Sequence, residues 1–181
     1  MDTRERLIES TRELLWERGY VGTSPKAIQE RSGAGQGSMY HHFSGKPDLA
    51  LAAIERESAG LVARAEADLA GRGSATGRVT RYLRREREAL RGCPVGHLTM
   101  DPDVMADPRL RQPVADSLAA VVARLAEVLE EGRASGELDV DPLPTATALV
   151  AMLQGGYVLA RASGDPASYT RAVDGALALL R

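Results

Sequence analysis

One stretch of the chain, Ser24 to Phe43, concentrates the side chains best suited to reading another molecule. Gln36, Ser38, Tyr40, His41 and His42 place amide, hydroxyl and imidazole groups close together, all of them able to donate and accept hydrogen bonds. Such neutral tips suit the edges of nucleic-acid bases and the oxygens of phosphates. No glycine-rich phosphate loop, nucleophile elbow or paired His/carboxylate signature accompanies them, so an enzyme is the weakest reading.

Two short helices must hold these tips. Ser24 is a good N-cap and Pro25 occupies the first helical position, where a missing N–H costs nothing. Ala27, Ile28 and Arg31 continue an amphipathic turn and a half, and Gly33 ends it in the left-handed conformation. A second helix begins near Gln36. Met39 and Phe43, four apart, give it an apolar face read as core, leaving the polar residues for other faces. Two short helices about a glycine turn make the helix-turn-helix pattern.

The flanking sequence is helical throughout. Asp2 and Glu5 have capping-box spacing before a helix from Thr3 to Arg18, with Leu7, Ile8, Thr11, Leu14 and Leu15 on one stripe and Gly19 at its end. Lys46 opens a long helix that runs to about Leu69. A basic helix is expected from Gly77 to Leu90, carrying Arg78, Arg81, Arg84, Arg85 and Arg87 as a solvated face. Asp-Pro pairs at 101, 107, 141 and 165 are helix starts. They predict a short helix over 102–111, a long one over 113–135, and two more over 142–162 and 166–180. With about nine helices and no convincing strand, the fold class is all-α.

The order of these features resembles the TetR family of transcriptional regulators. Ile28, Gly33, Gly37, Tyr40, His42, Phe43, Lys46 and Leu49 stand in step with the family pattern, strongly over residues 1 to about 56 and only architecturally beyond. The resemblance implies a helix-turn-helix DNA-binding domain over 1–47 and a helical ligand-binding and dimerisation domain over 48–181. It also implies a repressor released from a palindromic operator by a small-molecule effector. The alternative is a similar DNA-binding dimer without ligand response.

By position in that motif, Gln36, Gly37, Ser38 and His41 are expected at base edges, Gly37 letting the backbone approach the duplex. Thr23, Ser24, Tyr40, His42 and Lys46 are expected at phosphates, with interhelical packing the competing role for Tyr40 and His42. Two residues depart from the family habit: Gly35 replaces a capping serine and Gln36 a lysine, which predicts weaker, more salt-tolerant binding. Family members dimerise through their last helices, so Leu149, Leu153, Gly156, Tyr157, Val173 and Leu177 are expected at a homodimer interface. A modest apolar effector pocket is expected from Tyr82, Met100, Met105, Leu118, Val122, Leu125, Met152 and Tyr157, each of which would serve equally as plain core.

Composition fits this reading. Of 181 residues, 44% are hydrophobic and 27% charged, enough apolar material for a sizeable core. The net charge is −2, and residues 1–56 carry eight Lys or Arg against eight Asp or Glu, so operator binding should depend only shallowly on salt. No apolar run approaches the ~20 residues of a membrane span, and the charged N-terminus has no signal-peptide core, so a cytoplasmic protein without membrane partners is expected. Cys93 is the sole cysteine, read as buried and structural. It lies in a Gly92-Cys93-Pro94-Val95-Gly96 segment similar to one seen in a TetR subgroup. With His97 it offers too few ligands for a metal, and no cofactor is expected.

Overall fold

The computed structural model describes residues 2–180. Among them are nine α-helices: α1 Thr3–Arg18, α2 Pro25–Ser32, α3 Gln36–His42, α4 Lys46–Leu69, α5 Ala75–Arg84, α6 Pro102–Ala106, α7 Pro108–Ala134, α8 Pro142–Ser163 and α9 Ala167–Ala178. A 3₁₀ helix, Gly96–Met100, precedes α6. The chain forms two compact units, one running to Gly60 and including Pro94–Asp116, the other comprising Leu61–Cys93 and Ser117–Arg181. The unit that carries the motif is therefore larger than residues 1–47.

The first unit is built on the stripe of α1, where Leu7, Ile8, Thr11, Leu14 and Leu15 are all buried. Asp2 caps α1 by accepting from the N–H of Glu5. The return half of the capping box is not made, because the Glu5 carboxylate takes both Nη groups of Arg56 at 2.6 and 3.0 Å. Ile28, Met39, Leu49, Ala53 and Ile54 complete this core.

In the second unit α5 differs from its expected span. Ser74 caps it two residues earlier by accepting from Gly77, and the Glu137 carboxylate adds bonds from the N–H groups of Ala75 and Thr76. It ends at Arg84, six residues early, because Arg87 folds back and donates to the carbonyls of Tyr82, Leu83 and Arg85. Of its arginines only Arg81 and Arg84 are exposed. Arg78 is buried against Glu131, Arg84 pairs with Asp174, Arg85 with Asp68, and Arg81 donates to the carbonyls of Asp68 and Ala70.

The helix expected over 102–111 is split. Asp107 accepts from the N–H of Arg109 and starts α7 five residues before Pro113. Pro113 thus lies inside the helix and gives up one backbone bond near its first turns. Helix α8 is long and apolar enough to span a membrane by length and composition, contrary to the sequence expectation, and one of its faces is buried against α9.

Candidate nucleic-acid interface

Gly19, with φ of +70°, turns the chain out of α1. The turn is fixed from two sides. Thr23 donates its hydroxyl to the Gly19 carbonyl at 2.7 Å, and the Asp101 carboxylate accepts from the N–H groups of Tyr20 and Val21 at 2.7 and 2.9 Å. Thr23 is 1% exposed, so its hydroxyl is a structural bolt and does not face a phosphate as expected. Ser24 is exposed, and its oxygen accepts from Ala27 N–H at 3.1 Å, which leaves the hydroxyl proton available to an outside acceptor.

Helix α2 ends at Gly33 in the left-handed region, and the Ser32 hydroxyl accepts from Ala34 N–H. Helix α3 then starts at Gly35, which supplies no side-chain cap. Met39 is fully buried and Phe43 is 7% exposed, while Gln36, Gly37, Ser38, Tyr40, His41 and His42 are all exposed. At 100° per residue, Gly37, Ser38 and His41 lie opposite the buried Met39–Phe43 face, Tyr40 and His42 lie at its two sides, and Gln36 sits at its edge in the first turn. Tyr40 is 50% exposed and His42 is exposed, so neither serves as interhelical packing. The rings of His41 and His42 meet edge to face at 5.0 Å.

A methyl group built on Gly37 would touch nothing within 4 Å. No internal packing therefore requires glycine here, although glycine costs about 1 kcal/mol in a helix. The open space beside it is suited to close approach by an external surface.

Lys46 is only half-exposed. Its Nζ lies 3.9 Å from the centre of the Tyr20 ring, and desolvation lowers its pKa against the opposing pull of Asp101 and Asp103. The cation–π contact offsets its unfavourable place at a helix N-terminus, and only part of the ammonium remains for a phosphate.

Three other cations of the unit are tied down, while Arg4, Arg6, Arg18 and Lys26 are exposed. Arg31 grips Glu17 with two bonds of 2.7 Å, Arg56 grips Glu5, and Arg12 meets Glu9 at 2.8 Å and Glu57 at 3.4 Å. Each pair removes a cation that a basic-patch argument would have counted.

Asp101 was not anticipated beyond a helix cap. One of its oxygens does cap α6, accepting from Asp103 and Val104 N–H. The other reaches Tyr20 and Val21. Nothing in the Asp-Pro dipeptide signals that second role.

The expected dimer residues are covered within the chain. Leu149, Leu153, Gly156 and Tyr157 of α8 and Val173 and Leu177 of α9 are all buried. Gly156 is required for this packing, since a Cβ there would fall 3.1 Å from Tyr169 and 3.2 Å from Ala172. An adjacent face of the same pair is an open apolar groove lined by Met152, Gly155, Leu159, Gly175 and Leu179, with Gly156 at its edge and Leu159 57% and Leu179 72% exposed.

The expected effector residues divide between the two units. Met100 is 82% exposed, and both it and Met105 belong to the first unit. Met100 ends the 3₁₀ helix, where Asp101 rather than the methionine turns inward. In the second unit Tyr82, Leu125 and Tyr157 are buried core, Leu118 and Val122 are half-buried, and Met152 lines the outer groove. Among the described residues no three His, Cys, Asp or Glu side chains group as a metal site.

Comparison with known proteins bears on the whole chain. Residues 7–53 match the family model of bacterial regulatory proteins of the tetR family, and residues 74–176 match that of the tetracyclin repressor-like C-terminal domain. The transcriptional regulator AcuR of Cereibacter sphaeroides is 31% identical over 150 residues, covering 78% of this chain and 68% of that protein. The transcriptional repressor NemR of Escherichia coli K12 is 27% identical over 172 residues, covering 90% and 85%. The crystal structure of reduced E. coli NemR superposes with a TM-score of 0.84 at 25% identity, over 97% of this chain and 95% of that one. Regulatory protein TetR from Rhodobacter sphaeroides does so with a TM-score of 0.83 at 27% identity, over 96% of both chains.

Proposed function

This chain belongs to the TetR family of transcriptional regulators and is a DNA-binding regulator; on that premise we propose that it is a cytoplasmic repressor that reads a palindromic operator with α3 and leaves it when a small molecule binds. The observation that carries the reading is the division of α3. Met39 and Phe43 are buried, while Gly37, Ser38 and His41 are exposed on the far side and the space beside Gly37 is open. Gln36 is suited to a bidentate contact with adenine and Ser38 to several bases. Ser24, Tyr40 and His42 supply neutral donors for phosphates, and the exposed part of Lys46 one cation.

Recognition of two half-sites requires two copies of α3 about one or more DNA turns, ~34 Å, apart. The apolar groove on the outer face of α8 and α9 is the surface we assign to the homodimer. Its small residues permit close helix approach in a four-helix arrangement.

A second reading, a DNA-binding dimer without ligand response, draws on the burial of Tyr82, Leu125 and Tyr157 as core and the exposure of Met100 to solvent. Fluorescence anisotropy on duplexes from upstream of the chain's own gene tests both. Saturable binding to one palindromic fragment, lost on adding a member of a metabolite library, supports the repressor. Binding that no metabolite alters supports the second reading, and no binding to any fragment overturns both.

A further inference from the structure

The segment that follows α5 holds a guanidinium whose charge is not matched. Arg87 is half-buried. Its Nη1 donates to the carbonyls of Leu83 and Arg85 at 3.0 and 2.9 Å, and its Nη2 to that of Tyr82 at 2.7 Å. Its guanidinium carbon lies 5.2 Å from the Tyr82 ring centre. Neighbouring Arg78, Arg84 and Arg85 each have a carboxylate, but among the described residues Arg87 has none. Its Nε–H and one Nη2 proton have no protein acceptor there either. Carbonyl dipoles and a ring face compensate a partly desolvated cation less well than an anion does, and a guanidinium fork matches a carboxylate in shape.

Arg87 forms the wall of a cleft of about 380 Å³ between residues 83–89 and α9. Leu83, Ala89, Tyr169 and Val173 make an apolar floor, with Arg84, Thr170 and Asp174 at the mouth. An apolar recess with a few polar groups at one end is the ordinary form of a small-molecule site. Arg84 and Asp174 pair at 2.9 Å, yet both are more than half exposed, so the pair is weak and Arg84 is free to turn toward a ligand. The carboxylates of Glu86 and Asp174 at the rim disfavour a multiply charged phosphate. On α9 the cleft residues Pro166, Thr170, Val173 and Asp174 lie on the face opposite Ala172, Gly175 and Leu179. The cleft therefore stays open when the outer groove is covered.

We propose that this cleft is a binding site for a small organic monocarboxylate, its carboxylate on Arg87 and its apolar body on Leu83, Ala89 and Val173. The test uses the full chain without DNA, so it does not depend on the operator reading. Calorimetric titration with benzoate and hexanoate is expected to show saturable binding in the millimolar range or tighter. The neutral benzamide is expected to bind at least tenfold more weakly. R87Q is expected to lose carboxylate binding at least tenfold. Because Arg87 also closes α5, T170W is the second variant: it fills the mouth from an exposed position and is expected to abolish binding with the far-ultraviolet spectrum unchanged. The proposal is overturned if neither carboxylate saturates by about 20 mM, if benzamide binds as well as benzoate, or if T170W binds like the parent.

Discussion

The carboxylate of Asp101 lies 2.7 Å from the backbone nitrogen of Tyr20, 81 positions away in the chain, and holds the turn that leads into the helix-turn-helix. The same side chain accepts from Val21, Asp103 and Val104 N–H groups and is 8% exposed. Asp101→Ala is expected to lower unfolding free energy by about 3 kcal/mol, because four donors, two of them buried and two partly buried, lose a charged acceptor. Asp101→Asn, which keeps one carbonyl oxygen, should fall between. Urea denaturation of the three proteins checks the order, and an alanine variant as stable as the parent would remove Asp101 from its structural role.

Gly37→Ala separates folding from recognition. Nothing in the protein meets the new methyl, and alanine favours the helix by about 1 kcal/mol, so the melting temperature should rise. Operator affinity should fall by about tenfold or more if the duplex lies against this position. A variant that is both more stable and equally tight would place the DNA elsewhere.

Gln36→Lys adds a cation at an exposed position on the reading helix. Affinity should increase at low salt, and the slope of log affinity against log salt should steepen by about one per subunit. Anisotropy measured between about 50 and 200 mM salt gives both values. If neither moves, Gln36 does not face the duplex.

Leu159→Glu sets a carboxylate in the middle of the outer apolar groove at a residue that is 57% exposed in the single chain. The fold should survive, while light scattering should report a monomer and operator binding should be lost. A dimeric variant with unchanged affinity would exclude this face as the subunit contact.

Acid should release the start of α5. Hydrogen bonds from Thr76, with Ala75 and Ser74 adding to them, hold the Glu137 carboxyl below its ordinary range. A depressed acid stabilises the fold fully above its unfolded pKa, and that contribution disappears as pH falls through the folded value. Thermal melts should therefore show the parent above Glu137→Gln at neutral pH, with the gap closing below about pH 4.

The helices that position the site were legible because their ends carry chemistry of their own. Ser24, Pro25, Gly33 and the Asp-Pro pairs each dictate a local conformation that tertiary packing did not need to override. What eluded the sequence was the choice of partner. On α8 the stripe of Leu149, Leu153 and Gly156 and the one-residue-shifted Met152, Gly155 and Leu159 are both apolar, so periodicity could not tell the face that packs on α9 from the one left open. The arginines of α5 misled for a related reason. Their type suggests solvent, whereas Arg78, Arg81 and Arg87 found carboxylates or carbonyls distant in the chain or across a broken turn. The early end of α5 at Arg84 goes with the fold-back of Arg87 onto the carbonyls of Tyr82, Leu83 and Arg85, and no glycine or proline at that point signals it. Thr23 was misread because a hydroxyl serves a phosphate and a backbone carbonyl equally well, and only the Gly19 turn decides between them.

The pairing of Arg31, Arg56 and Arg12 with glutamates has a consequence for how such a protein shares a cell with its chromosome. With those three cations held by glutamates, a DNA-binding regulator of this kind gains less from the charge common to every stretch of DNA. The chromosome would then act as a weaker sponge, and fewer molecules would be sequestered away from the target.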